Sequence, residues 1–240
     1  MPAFCPMLIL KTGSTFDGLA AVRGDFEHWT AQTMGLDPGQ WVRADVRLGE
    51  PLPDPAGLAG CVITGSHDMV TDDADWMLAA GRWLSLAMDA GLPLLGICFG
   101  HQLMAHALGG RAAYHPDGPE IGTVAVTLTA QAADDPLFSA MPPVFPAHVT
   151  HSQTALALPP QSVILATSDH DPHQAFRLGS RAWGVQFHPE FDAEATGHYV
   201  TAQAAKIVAH GGDPEAVRAS VRETPESADL LRRFAGYCLG

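Results

Sequence analysis

Short apolar runs recur along the chain, bounded by Gly, Pro or Asp: MLILK near the start, then CVITG, PLLGIC, SVILAT and GVQF. They are rich in β-branched residues and do not alternate with polar ones, the pattern of strands covered on both faces. Between the first three lie FDGLAAVRGDFEHWTAQTM and ADWMLAAGRWLSLAMDAG, which carry helical patterning and each end near a glycine stop. Strand, helix, strand, helix predicts βαβ units and a parallel sheet.

From about Gly122 the texture changes. GTVAVTLT and VFPAHV read as strands beside turn residues, so antiparallel additions are expected before the chain returns to the main sheet at WGVQF. The tail, from FDAEATGHYV to the end (about 192–240), predicts two or three helices joined at GGDP and TPES. No repeat, low-complexity segment or linker cuts the chain, so residues 1–240 are expected to form one α/β domain.

Composition narrows the partners. With 47% hydrophobic and 16% charged residues the chain is globular rather than disordered. A formal net charge of -13 repels phosphate backbones and anionic lipid headgroups, which leaves a small polar molecule or a protein as the expected partner, not nucleic acid or a membrane surface. No apolar stretch reaches the roughly 18 to 20 residues of a membrane span. The opening MPAFCPMLILKTG lacks a basic leader with a small-residue cleavage site, so a cytoplasmic location is expected.

The four cysteines, Cys5, Cys61, Cys98 and Cys238, form no CxxC pair, and a disulfide framework is not expected. Among 12 histidines there is no HExxH, and pairs such as His101 with His106 or His170 with His173 lack an obvious third ligand. Neither a metal nor a cofactor is expected.

Candidate chemistry concentrates in two segments. In GLPLLGICFGHQLMAHALGG an apolar strand runs into Cys98 and a helix follows, and Gly96-Ile97-Cys98-Phe99-Gly100 has the form G-x-nucleophile-x-G. Glycines there permit a turn that a β-carbon would obstruct, and the turn lifts the reactive side chain above the sheet edge. A helix N-terminus favours a thiolate, and the Phe99 N–H is a natural donor to an oxyanion. The plainer reading makes Cys98 a buried structural thiol.

The second segment is WGVQFHPEF. A strand ends at His188, Pro189 halts ladder pairing, and Glu190 follows two places on, where an extended backbone turns both side chains the same way. Histidine suits protonation of a leaving amine, and a carboxylate beside it orients the ring and stabilises its cation. The plainer reading is a solvated strand end, but coincidence with the cysteine turn makes a Cys98, His188, Glu190 triad the better expectation.

GICFGHQ followed about ninety residues later by GVQFHPE is similar to the paired signatures of the class I (triad) glutamine amidotransferases, and among them the chain most resembles a stand-alone form of the GMP synthetase glutaminase domain. The resemblance implies a flavodoxin-like three-layer sandwich. It also implies hydrolysis of the glutamine side-chain amide through a γ-glutamyl thioester on Cys98. By the same resemblance Gln102 helps hold the amino-acid end of the substrate. VITGSH falls where the family has a Gly-Gly-Pro loop supplying the second oxyanion N–H. Gly65 matches and Ser66 and His67 do not, which leaves the amide of Gly65 or Ser66 for that role. THSQ resembles a Ser-His-Gly-Asp stretch that binds the substrate backbone, which implicates His151 and Ser152 and puts Gln153 where an acid is common. Glu120, in PEIG, is expected to be structural. His67 as a mere loop residue and Ser152 as a turn former are the plainer alternatives.

No SGGVDS-like phosphate loop or Walker sequence occurs, so the chain is not expected to be a whole ATP-dependent synthetase. Three functions remain: a glutaminase that delivers ammonia to a separate synthetase subunit, a γ-glutamyl peptidase acting on glutathione-like molecules, and a non-catalytic binding or regulatory protein on the same fold. A Cys, His and Glu all in place argue against the last.

Overall fold

A computed structural model describes residues 5–240. The predicted strands form: β1 (Met7–Lys11), β3 (Gly60–Ile63) and β4 (Leu94–Ile97), with β2 (Trp41–Asp45) added beside β1. Together with β11 (Ala182–Val185) they make a parallel centre in the order β2-β1-β3-β4-β11. Every residue of β1, β3, β4 and β11 is buried, as non-alternating apolar runs require.

Alternate side chains feed two cores. Met7, Val62, Leu95, Ile97, Trp183 and Val185 face one side, against Leu230, Leu231 and Phe234 of α8 (Pro225–Leu239) and Met34 of α2 (Phe26–Met34). Leu8, Leu10, Cys61, Ile63, Leu94 and Ala182 face the other, against α3 (Asp75–Asp89) and α4 (Phe99–Ala107). The result is a three-layer α/β sandwich with its sheet in the middle.

The antiparallel strands do not form a separate layer. β10 (Ala175–Leu178), β9 (Val163–Thr167), β6 (Glu120–Leu128) and β7 (Val144–His151) continue the sheet from β11 to give nine strands. Among the described residues only β5 (Arg111–Tyr114) and β8 (Gln153–Ala157) pair apart from it. The first predicted helix is in fact two, α1 (Asp17–Arg23) and α2, because Gly24 takes φ 77° and Asp25 caps a new start. The tail has four helices rather than two or three. α5 (Ala193–Ala202) and α6 (Ala204–Ala209) break at Gln203, and α7 (Pro214–Ser220) precedes α8. Among the described residues no helix is long and apolar enough to cross a membrane.

Candidate active site

The candidate residues gather at the carboxyl ends of β3, β4 and β11, where open parallel sheets place their ligand crevices. Cys98 follows β4 directly and caps α4, with φ 50° and ψ -100°, a conformation outside the regions an ordinary side chain adopts. It is held there by register: Ile97 pairs with Val185, and the Cys98 N–H donates to the Val185 carbonyl at 2.8 Å. The flanking glycines are demanded by close approach. A Cβ on Gly96 would lie 2.5 Å from the Gly100 carbonyl, and one on Gly100 would lie 2.5 Å from the Ile63 carbonyl of β3.

Cys98 is 5% exposed, and that small exposure opens into a cleft of about 230 Å³ that it shares with His188, Gln102, His151 and Ser152. The volume suits an amino acid or small peptide. Phe99, the first residue of α4, has an N–H that no helical carbonyl can reach, and it borders the same cleft. Gly65 and Ser66 approach from β3. Their loop is pinned by Thr12, whose hydroxyl donates to the Thr64 carbonyl at 2.8 Å, and it lies flat on Gly13.

β11 ends at Val185, not at His188 as the sequence predicts, and Gln186 to Glu190 run through bends and a turn. His188 and Glu190 still meet, because the turn replaces the extended backbone in bringing them together: Nδ1 lies 2.8 Å from Glu190 Oε1, both side chains buried. The His188 N–H is anchored on the His148 carbonyl of β7 at 2.8 Å, and Phe191 stacks on the ring at 4.1 Å. Burial pushes the imidazole pKa down, but the charges of Glu190 and Cys98 push it up and prevail, to about 10. Its Nε2 meets no partner within hydrogen-bond geometry among the described residues, and Cys98 lies near enough to add to the upward shift.

The remaining predicted residues divide between lining the cleft and bracing it. Gln102 donates to the Gln153 carbonyl at 2.7 Å and to Gln186 Oε1 at 2.9 Å, which leaves its own Oε1 free of both. His151 is held from both sides, by the Gln153 carbonyl and by Glu120, each at 3.0 Å. Glu120 also accepts from Ser168 and Gln174, and so serves as the brace expected of it. Gln153, also at the cleft wall, is engaged through its side chain, with Oε1 on the Val70 N–H at 2.9 Å and Nε2 on Thr71.

Sequence reading missed the tail's share in this site. Tyr199 on α5 bonds Thr15 at 3.0 Å and His67 at 2.9 Å, which makes His67 more than a loop residue. Burial, then the charge of His188, lowers the His67 pKa. Lys206 on α6 donates to Ser152 Oγ at 3.0 Å. A lysine among alanines in a helical tail carries no motif, although it is one of only two in the chain. Among the described residues no group of three or more His, Cys, Asp or Glu is arranged to hold a metal ion.

The family model of glutamine amidotransferase class-I matches residues 57–207. A GMP synthase [glutamine-hydrolyzing] of Thermomicrobium roseum is 41% identical over 189 residues, 79% of this chain and 32% of the relative. The chain therefore spans about a third of that protein's length. Gamma-glutamyl peptidase 5 of Arabidopsis thaliana is 28% identical over 193 residues, 78% of this chain and 76% of the relative. A glutamine amidotransferase of Thermotoga maritima shares the fold at TM-score 0.75 and 20% identity, covering 99% of both chains. The chain belongs to the class-I glutamine amidotransferases.

Proposed function

We propose that this protein hydrolyses the side-chain amide of glutamine, with Cys98 as nucleophile, His188 as acid and base, and Glu190 as the group that orients and charges the imidazole. The observation that carries the reading is the buried 2.8 Å contact of His188 with Glu190 beside a cysteine held at φ 50° on a helix N-terminus. The Cys98 thiolate attacks the amide carbon, and the Phe99 N–H with that of Gly65 or Ser66 takes the developing oxyanion. His188 gives its proton to the nitrogen, ammonia leaves, and a γ-glutamyl thioester remains. His188 then accepts a proton from water as the water attacks the thioester, glutamate departs, and the Cys98 thiolate beside a protonated His188 is restored. Ammonia is consumed by a separate synthetase subunit, as the resemblance to GMP synthetase glutaminase domains implies.

A second reading has an observation of its own. The peptidase relative is matched over three quarters of its length, whereas the GMP synthase is matched over a third. The same thioester forms when an α-amine leaves in place of ammonia, and the loop at Ser66 and His67 departs from the amidotransferase pattern on the cleft side. The purified chain, offered glutamine and glutathione in parallel with a Cys98→Ala control, separates the two. Cys98-dependent ammonia release supports the glutaminase, brisk cleavage of glutathione supports the peptidase, and a chain inert to both whose Cys98 also resists a glutamine-like alkylating agent is neither.

A further inference from the structure

Lys206 is placed unusually for this chain. The other lysine, Lys11, is buried between Asp25 and Glu27 at 2.6 and 2.7 Å, neutralised by two carboxylates. Lys206 is half-buried, points its ammonium at the Ser152 hydroxyl at 3.0 Å, and has no carboxylate partner among the described residues. Among the described residues it is the one Lys or Arg that lines the cleft holding Cys98. In a protein of net charge -13, an ammonium left unpaired in a cleft is a seat for an anion supplied from outside.

The seat is fixed rather than swung in by chance. Gln203, three residues before Lys206, donates to the Thr150 hydroxyl, so two side chains on one face of the tail grip the two ends of the Thr150–Ser152 segment. The Gln153 side chain, which follows, is committed to Val70 and Thr71 and offers the cleft no charge. His67 and Asp68 of the β3 loop line the same cleft as Lys206, so one wall carries a carboxylate and the tail wall carries the ammonium.

The reacting end of the ligand is an uncharged amide, since it must lie against Cys98. Its negative charge must sit at the far end. We propose that Lys206, with Ser152, holds the α-carboxylate of the glutamyl substrate, so that the helical tail is a working part of the site and substrates lacking a free α-carboxylate are rejected. This rests on the γ-glutamyl reading above, and it adds a specificity-determining residue to it.

The test measures binding apart from turnover. L-glutamate and glutamic acid α-amide are titrated into the full chain, wild type and Lys206→Met, by calorimetry, with Lys206→Arg as the conservative control. The expected result is about tenfold weaker glutamate binding for Lys206→Met and for the α-amide on wild type, no further loss when the two are combined, and substantial recovery in Lys206→Arg. Kinetics on glutamine should show the loss in KM, with kcat within about threefold. Glutamate binding that is equal in wild type and Lys206→Met overturns the inference, as does a wild type that binds neither ligand. An effect on KM for glutathione with none on glutamine or glutamate also overturns it, by assigning Lys206 to the leaving-group side. Intact, Lys206-dependent glutamate binding without hydrolysis of any γ-glutamyl amide would instead sink the proposed function and leave the seat standing.

Discussion

Gly65 lies flat against the imidazole of His188, close enough that a β-carbon on Gly65 would stand 3.1 Å from Cε1 of the ring. The ring is stacked by Phe191 on one side and tied to Glu190, so it has little room to retreat. Gly65→Ala should therefore displace the ring by tenths of an ångström and lower kcat about tenfold, with a change in Tm of only a few degrees. Gly13→Ala makes the contrast, because its β-carbon would meet the Ser66 Cα at 2.4 Å and backbone cannot swing aside. That substitution should cost about 1–3 kcal/mol in stability. Paired thermal and kinetic measurements check both, and a Gly65→Ala enzyme of full activity would mean that the ring position is not critical.

The strained turn at Cys98 separates chemistry from stability. Cys98→Ala should reduce turnover by about three orders of magnitude or more, His188→Asn comparably, and Glu190→Gln less, since the amide still orients the ring. Alanine inherits the φ of 50° and glycine does not suffer from it. Cys98→Gly should thus be more stable than Cys98→Ala by about 1 kcal/mol, read from chemical denaturation. Equal stabilities would show that the turn holds no strain.

The His188 cation gives a signed pH dependence. The folded protein keeps a proton on His188 up to about pH 10, whereas an unfolded histidine releases it near its ordinary value of about 6.5. A raised folded pKa stabilises fully below the unfolded value and loses its contribution as pH climbs through the folded one. Stability should accordingly decline from about pH 6.5 toward pH 10, and Glu190→Gln, which removes a charge that raises the pKa, should flatten that decline. Thermal melts across this range, with NMR titration of the imidazole, measure it directly. A His188 signal that titrates at its ordinary value would refute the assignment.

Much of this was legible in the sequence, for a physical reason in each case. Strands buried on both faces must be apolar without alternation, and MLILK, CVITG and PLLGIC are. An elbow must have glycine wherever backbone meets backbone, and Gly96 and Gly100 answer to the Gly100 and Ile63 carbonyls. The pairing of His188 with Glu190 was legible although the backbone joining them is a turn and not a strand. What stayed hidden depends on long-range placement. Tyr199 and Lys206 lie on an amphipathic tail whose local pattern says only helix, and their contacts with His67 and Ser152 span 132 and 54 residues. The split at Gly24 was hidden for the opposite reason, since a single glycine in a helical pattern signals a stop only once the αL-side φ is known.

Tyr199 tests how far the tail governs the β3 loop. Its hydroxyl is shared between Thr15 at 3.0 Å and His67 at 2.9 Å, while its ring lies among Phe16, His67 and Phe191 with centroids 4.9 to 5.6 Å apart. Tyr199→Phe keeps the ring contacts and deletes both hydrogen bonds. The buried Thr15 hydroxyl and the more exposed His67 ring then lose a partner each, at a cost of about 1 kcal/mol. Since His67 follows Gly65 and Ser66 directly, the loosened loop should bind the amide oxygen less well in every state of the reaction. The expected outcome is a KM severalfold higher and a kcat lower by a smaller factor, with Tm reduced by a few degrees. His67→Gln, which keeps a donor and acceptor near Tyr199, should recover part of the loss that His67→Leu incurs. If Tyr199→Phe lowers Tm and leaves both kinetic constants untouched, the tail merely covers the sheet at α5, and the loop is positioned by Thr12 and Gly13 alone.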